Sequence, residues 1–377
     1  MTNPVLGSNV GLWLAEPLPR EVVAPLQRLA ATDDVVRVAV MPDVHLAEDV
    51  CIGTIVATRS RLFPAAVGGD IGCGMAAIRL HSEATALADE RTAATILAGL
   101  YRLVPTVKHD VATLPEVLSA GALGHASLEK LKERDGRLEF ATLGRGNHFI
   151  EFQADDDGAL WLMLHSGSRA MGQAIRDHHL RSTEMNSTGL RYLDADREQG
   201  RAYLSDLQWA LTYADLSRRA MVEVIARFVE ERFQWVPDWS TYLACNHNHV
   251  RREEHDGESL WVHRKGAISA RAGEPGIVPG SMGTESFHVE GRGVGASLAS
   301  TLHGAGRTMS RTDARRRISV RTFEREVEGV WYDHRLAARL RDESPSAYKD
   351  IRGVMRAQQE LTRVLRRLRP VLSYKGV

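Results

Sequence analysis

The chain has 377 residues, no formal net charge, 44% hydrophobic and 25% charged residues, a composition that suits a globular protein with a large core and excludes a disordered or fibrous chain. With no excess of positive charge, an anionic partner has to be held by local patches. The three cysteines, Cys51, Cys73 and Cys245, cannot all pair, no signal peptide opens the chain, and no apolar run approaches the ~18 residues of a membrane span, so a cytoplasmic protein with reduced thiols is expected.

In chain order, a short helix is expected from Arg20 to Ala31 and a strand from Val35 to Met41. The strand runs into Met41-Pro-Asp-Val-His45, which places Asp43 and His45 at a strand terminus, where functional side chains often sit. A second β-rich run, Ile52 to Thr58, leads to Val67-Gly-Gly-Asp-Ile-Gly-Cys-Gly-Met75, and Met75 to Leu80 reads as the strand leaving it. Four glycines there surround one carboxylate, Asp70, and one thiol, Cys73. Glycine has no Cβ to hold a backbone away from an ion, and a carboxylate and thiolate so spaced can share a metal if imidazoles arrive from elsewhere. A tight turn with a buried free cysteine explains the same stretch. Helical patterns follow at Ala84 to Leu103 and Pro115 to Glu133.

Leu143-Gly-Arg-Gly-Asn-His-Phe-Ile-Glu151 delivers Asn147 and His148 at the start of a strand, and a strand from Ala159 to Leu164 ends in His165-Ser-Gly-Ser-Arg169, at the start of a helix. Free N–H groups and a guanidinium at that helix start suit a phosphate. Between Asp196 and Trp235 the apolar residues recur at helical spacing, giving one long helix or two joined helices of scaffold. In Cys245-Asn-His-Asn-His-Val250, His247 and His249 would share a face on a strand, whereas in a loop only one need be a ligand. Pro279-Gly-Ser-Met-Gly-Thr284 offers backbone N–H groups or a plain turn. His303-Gly-Ala-Gly-Arg307 presents an accessible imidazole beside a cation, as a nucleophile attacking phosphorus requires, and opens a basic segment from Arg311 to Arg325. A closing helix is expected from Pro345 to Leu368, and the chain ends Ser373-Tyr-Lys-Gly-Val377. Only six of the 48 basic residues are Lys, consistent with a phosphate-handling surface or with a GC-rich coding bias.

Taken together and in this order, these motifs, with Arg264-Lys-Gly-Ala267, resemble the RtcB family of tRNA-splicing and RNA-repair ligases, from about residue 35 to the C-terminus. The resemblance implies one catalytic domain over 1–377, mixed α+β with a β-rich core, outer helices and a helical insertion near 190–236. It implies that Asp70, Cys73, His148, His165 and His247 hold two manganese ions, with Cys73 bridging; ligand softness alone would suggest zinc. It places His303 as the histidine guanylylated by GTP, with Asn147, Glu151, Ser281, Ala305, Gly306, Tyr374 and Lys375 in or near the guanylate pocket. Asp43 is the candidate for orienting His303. The implied reaction joins an RNA 2′,3′-cyclic phosphate or 3′-phosphate to a 5′-hydroxyl end, through a histidine–GMP adduct and an RNA-ppG end, with the Arg-rich segments on the RNA backbone. A metal-dependent phosphatase or cyclic phosphodiesterase could use the same cluster without a covalent nucleotide. Two stretches depart from the family pattern: Leu46-Ala-Glu-Asp49 replaces a Gly-Lys-Gly-like turn, and Ala170-Met171 stands where Gly-Leu is commoner.

Overall fold

The structure, a computed structural model, describes residues 6–376. Two sheets dominate it. A five-stranded sheet runs in the order Val10–Leu12, Val35–His45, Ile52–Thr58, Glu258–Lys265, Asn248–His255. A seven-stranded sheet runs Pro237–Asn246, Gly74–Glu83, Ala159–Ser166, Phe149–Asp155, Thr362–Lys375, Ser286–Gly291, Pro275–Val278. The mixed α+β architecture expected from the sequence is therefore present, with helices on the outside of a β-rich core.

Alternation along the strands explains the layers. In the seven-stranded sheet Ala76, Ile78, Leu80, Leu160, Leu162, Leu164, Ile150 and Phe152 face an outer core. Their sequence neighbours Met75, Ala77, Trp161, Met163 and Phe149 face an inner cluster with Ile277 and Leu368, as a period of two demands. The outer core is covered by the helix Glu198–Phe233, whose Met221, Val222, Ile225 and Val229 join it. The N-terminal half of that helix packs Tyr203, Leu207, Ala210 and Leu211 against Val67 and Ile71, directly behind the glycine-rich turn. The five-stranded sheet buries Val38, Val40 and Val56 against Val22, Leu26 and Leu29 of the helix Arg20–Ala30. Its other face meets Val278, Phe287 and Val289 from the larger sheet, so the two sheets share a core.

Three sequence expectations are corrected. The Ala84–Leu103 pattern divides into a 3₁₀ turn, Ala84–Ala88, and a helix, Glu90–Leu103, because Asp89 accepts from the Thr92 backbone N–H and caps a new start. The Pro115–Glu133 pattern gives only Glu116–Ser119 and Ala126–Leu131 before a π turn at Lys132–Gly136. The closing helix is confined to Ile351–Ala357, and the next stretch is the 14-residue strand Thr362–Lys375 in the middle of the larger sheet. Among the described residues no helix is long and apolar enough to cross a membrane.

Candidate active site

The ligand candidates arrive from the ends of neighbouring strands. Met75 pairs with His165 and Phe149 pairs with His165, so the turn before Gly74–Glu83, the start of Phe149–Asp155 and the end of Ala159–Ser166 lie side by side. His247 sits in the bend where the chain leaves the larger sheet at Asn246 and enters the smaller one at Asn248. That bend settles the two-histidine motif. His247 turns into the site, whereas His249, one residue into the next strand, lines a separate cavity with Asp215, Arg251 and Glu274.

Cys73 Sγ lies 3.2 Å from His165 Nε2 and 3.5 Å from His148 Nε2, and one ligand atom from each of these residues falls within 4.8 Å of the others. His165 Nε2 is 3.4 Å from His247 Nε2, and His148 Nε2 is 3.0 Å from Asp70 Oδ2. Four buried donors and one carboxylate thus converge. Gly167 has to be glycine here, because a Cβ would overlap the Asp70 carboxylate. The site is prepared for a cation. Burial, with Asp70 alongside, pushes the Cys73 thiol well up, and burial drives the His165 and His247 imidazoles well down, so both imidazoles are neutral ligands at physiological pH. Burial alone would raise the Asp70 carboxyl; the hydrogen bonds from His148 and Cys73, with the Arg169 charge nearby, outweigh it and hold Asp70 at about 2.

Supporting contacts orient the ligands. His165 Nδ1 faces the Asn147 carbonyl at 3.1 Å, which keeps Nε2 as the lone-pair nitrogen. Arg218, fully buried on the long helix, donates to Gly72 O at 2.7 Å and Ser166 O at 2.8 Å and also bonds Asn246 Oδ1. Each of these acceptors is one residue from a ligand candidate: Cys73, His165 and His247. Sequence reading missed Arg218, since its helix carries no motif. Arg169 Nη1 lies 3.3 Å from His148 Nδ1, which leaves the proton on His148 Nε2; coordination through Nε2 requires that proton to move.

Opposite the cluster stands His303. Its ring centre is 4.9 Å from that of His247, and its Nδ1 donates to Asp43 Oδ2 at 2.6 Å, leaving Nε2 as the nitrogen not tied to Asp43. Asp43 is completely buried, and its Oδ2 also accepts the His303 backbone N–H at 3.3 Å. Gly306, at φ 74°, permits this approach, because a Cβ would strike the Asp43 backbone.

One cavity joins these groups. Asn147, Glu151, Ser281, His303, Ala305, Gly306 and Lys375 line it together with His165 and His247. Tyr374 is the exception and is corrected: Ser373 pairs with Glu151 and Lys375 with Phe149, so the alternate residue Tyr374 points to the outer core and donates to Val104 O at 2.9 Å. The Phe149 and Tyr348 rings line the cavity instead. Glu343, also missed, is the hub of the cavity wall, accepting from Lys375 at 2.5 Å, Arg311 at 2.6 Å and Tyr348 at 3.0 Å. Burial raises its carboxyl, but Lys375 and Arg311 win and hold it at about 2. Burial pushes Glu151 up to about 7, against the pull of Lys375 and of bonds from Gln153 and Ser373.

A fold that converges thiol, imidazole and carboxylate on one pocket beside an oriented histidine is that of an enzyme able to bind a metal. The family model of tRNA-splicing ligase RtcB matches residues 25–122 and 106–376. The chain is 39% identical over 368 residues to the RNA-splicing ligase RtcB of Escherichia coli K12, covering 90% of each chain. It is 29% identical to the RNA-splicing ligase RtcB of Mycobacterium bovis, covering 89% of this chain and 96% of that one. It is 28% identical to RNA-splicing ligase RtcB2 of Escherichia coli ATCC 25922, covering 94% and 92%. The chain belongs to the RtcB family.

Proposed function

We propose that the protein is a GTP- and manganese-dependent RNA ligase, a single catalytic domain acting in the cytoplasm, that joins RNA 2′,3′-cyclic phosphate or 3′-phosphate ends to 5′-hydroxyl ends through a histidine–GMP intermediate. The observation that carries this reading is His303, held at Nδ1 by buried Asp43 and placed against the His247 edge of the Cys73 cluster.

In this reading Asp70, Cys73, His148, His165 and His247 hold two divalent ions, and their chemistry fits: four neutral or ionisable donors and one carboxylate, all but Asp70 buried. Bound ions supply charge neutralisation for phosphate oxygens and a Lewis acid for the attacking hydroxyl. Asp43 keeps the His303 proton on Nδ1 and stabilises the imidazolium-like charge that grows as Nε2 attacks the α-phosphorus of GTP and pyrophosphate leaves. Glu151, Ser281 and Lys375, with Tyr348, supply the acceptor, hydroxyl, cation and ring that a guanine requires. A 2′,3′-cyclic phosphate end is first opened by water to a 3′-phosphate; the 3′-phosphate attacks the adduct, releasing His303 and giving RNA-ppG, and the 5′-hydroxyl displaces GMP.

The test is incubation with α-labelled GTP and Mn²⁺ followed by denaturing electrophoresis. A labelled band that is acid-labile, alkali-stable and absent from His303→Ala is expected. Folded wild-type protein that takes no label, yet releases phosphate from RNA ends without GTP, would be a hydrolase and would end this reading.

A further inference from the structure

Beside the cavity that holds His303 lies a second one of about 340 Å³, lined by Arg145, Arg311, Arg315, Arg339, Asp342 and Glu343. The two adjoin, because Arg311 and Glu343 belong to the walls of both. A third depression adjoins the second at Arg339 and is walled also by Arg335 and Tyr101. The three adjoining depressions make up a groove that starts at the wall of the cavity holding His303.

Its charges are unevenly committed. Asp342 is paired with Arg311 at 2.6 Å and Arg315 at 3.1 Å, and Glu343 with Arg311 at 2.6 Å and Lys375 at 2.5 Å. Both carboxylates are thus neutralised from within the wall. Arg145 and Arg339, by contrast, make no side-chain hydrogen bond or ion pair among the described residues. A single exposed Arg is ordinarily just solvated. Here two of them come from unrelated elements and line one cavity, an arrangement that an anion entering it would neutralise. Arg145 sits between Gly144 and Gly146, at φ 96° and 85°, on the loop that also delivers Asn147 and His148. Arg145 is therefore two residues from Asn147 and three from His148 in the chain. At the far end Tyr101 is 39% exposed, with its hydroxyl held by Asp333 at 2.8 Å, which leaves ring surface for a base.

We infer that this groove is the track for a single-stranded RNA end, with backbone phosphates on Arg145 and Arg339 and a base against Tyr101. The inference rests on the RNA-ligase reading and locates its polymer substrate. The triphosphate of GTP is the other source of phosphate that the same cations could take, so the test separates the two.

Binding of a short, fluorescent, 3′-phosphorylated RNA to the full chain is measured by anisotropy over a range of NaCl, for wild type, Arg145→Gln/Arg339→Gln, Arg145→Glu/Arg339→Glu and Tyr101→Ala. Labelling by α-labelled GTP and melting temperature are measured in parallel. The expected result is RNA affinity at least about tenfold lower for the charge reversals, and a salt slope shallower by about 0.7 per cation removed in the Gln pair. GTP labelling and melting should be unchanged, and Tyr101→Ala should weaken RNA binding without altering the salt slope. Unchanged RNA affinity and slope in the Arg variants, no RNA binding by wild type, or a loss confined to GTP labelling would each overturn the inference. Wild type that takes no label while the Arg variants still lose RNA affinity would fail the ligase reading and leave the track standing.

Discussion

Glu151 is the residue whose environment and proposed task pull in opposite directions. Burial raises its carboxyl from 4.5 to about 7, yet a guanine edge presents N–H groups that favour the carboxylate. GTP binding then releases a proton below pH 7, so GTP affinity should climb as pH rises toward about 7 and level above it. The stability effect has the opposite sign. The folded chain keeps a proton that the unfolded chain gives up between 4.5 and about 7, so this group's contribution falls across that window as pH rises. Glu151→Gln removes the titration; it should be up to about 3 kcal/mol more stable than wild type at pH 8 relative to pH 5, while labelling poorly with GTP. Parallel urea-stability profiles for the two proteins would show that Glu151 does not titrate here. Asp43 makes a cleaner case. With its hydrogen bond to His303 Nδ1 gone, Asp43→Asn should slow guanylylation by ~10²–10⁴-fold at unchanged melting temperature and metal affinity. Near-wild-type labelling would show that His303 needs no orienting carboxylate.

At the scale of elements, one helix acts on the site without entering it. Arg218 ties together the backbone carbonyls beside Cys73 and His165 and the Asn246 side chain beside His247. Arg218→Met should therefore weaken Mn²⁺ or Co²⁺ binding by about 10–100-fold and cost roughly 3–5 kcal/mol of stability, because two buried carbonyls and the half-buried Asn246 amide oxygen lose their donor. A Co²⁺–thiolate absorption band that is unaltered in a folded Arg218→Met would show that the clamp does not position Cys73. The same scale explains what the sequence disclosed. The glycine turns were legible because each joins a strand of recognisable β pattern to a chemically unusual residue, and the structure does bring Asp70, Cys73, His148, His165, His247 and His303 together. Helix Glu198–Phe233 was legible by periodicity, but Arg218's task was not, since only the fold reveals which carbonyls it meets. The final strand misled in the other direction. Leu361, Val364, Leu365 and Leu368 have helical spacing and Arg is a good helix former, yet Val364 and Leu365 are 43% and 47% exposed on a strand. A register shift at His288/Val289 breaks the alternation that would have announced it. Tyr374, which the family resemblance had put in or near the pocket, faces away from it because neighbours on a strand face opposite ways.

For the molecule as a whole, the site lies across the seam between the two sheets. Asp70, Cys73, His148 and His165 belong to strand ends of the seven-stranded sheet, Asp43 to the five-stranded one, and His247 to the bend that passes between them. Ions held by that set would link the sheets through His247. Apart from them the seam rests on the shared apolar core and on hydrogen bonds between bend and glycine turn: His247 N–H to Cys73 O and Gly72 N–H to Asn248 O, both at 2.8 Å, and the Asn248 amide to Asp70 O at 3.0 Å. Divalent metal should therefore stabilise the fold as a unit, by about 2.7 kcal/mol at one hundred times its dissociation constant. Calorimetry with and without EDTA should show the melting temperature rising by a few degrees with Mn²⁺. Hydrogen exchange should show added protection at both Asn246 to Val250 and Gly69 to Met75. His247→Ala should keep the protection at Gly69 to Met75, where Asp70, Cys73 and their partners still bind, and lose it in the bend. Protection gained in the glycine turn alone in wild type would mean that the metal serves one sheet, and that His247 belongs to the nucleophile's side of the cavity.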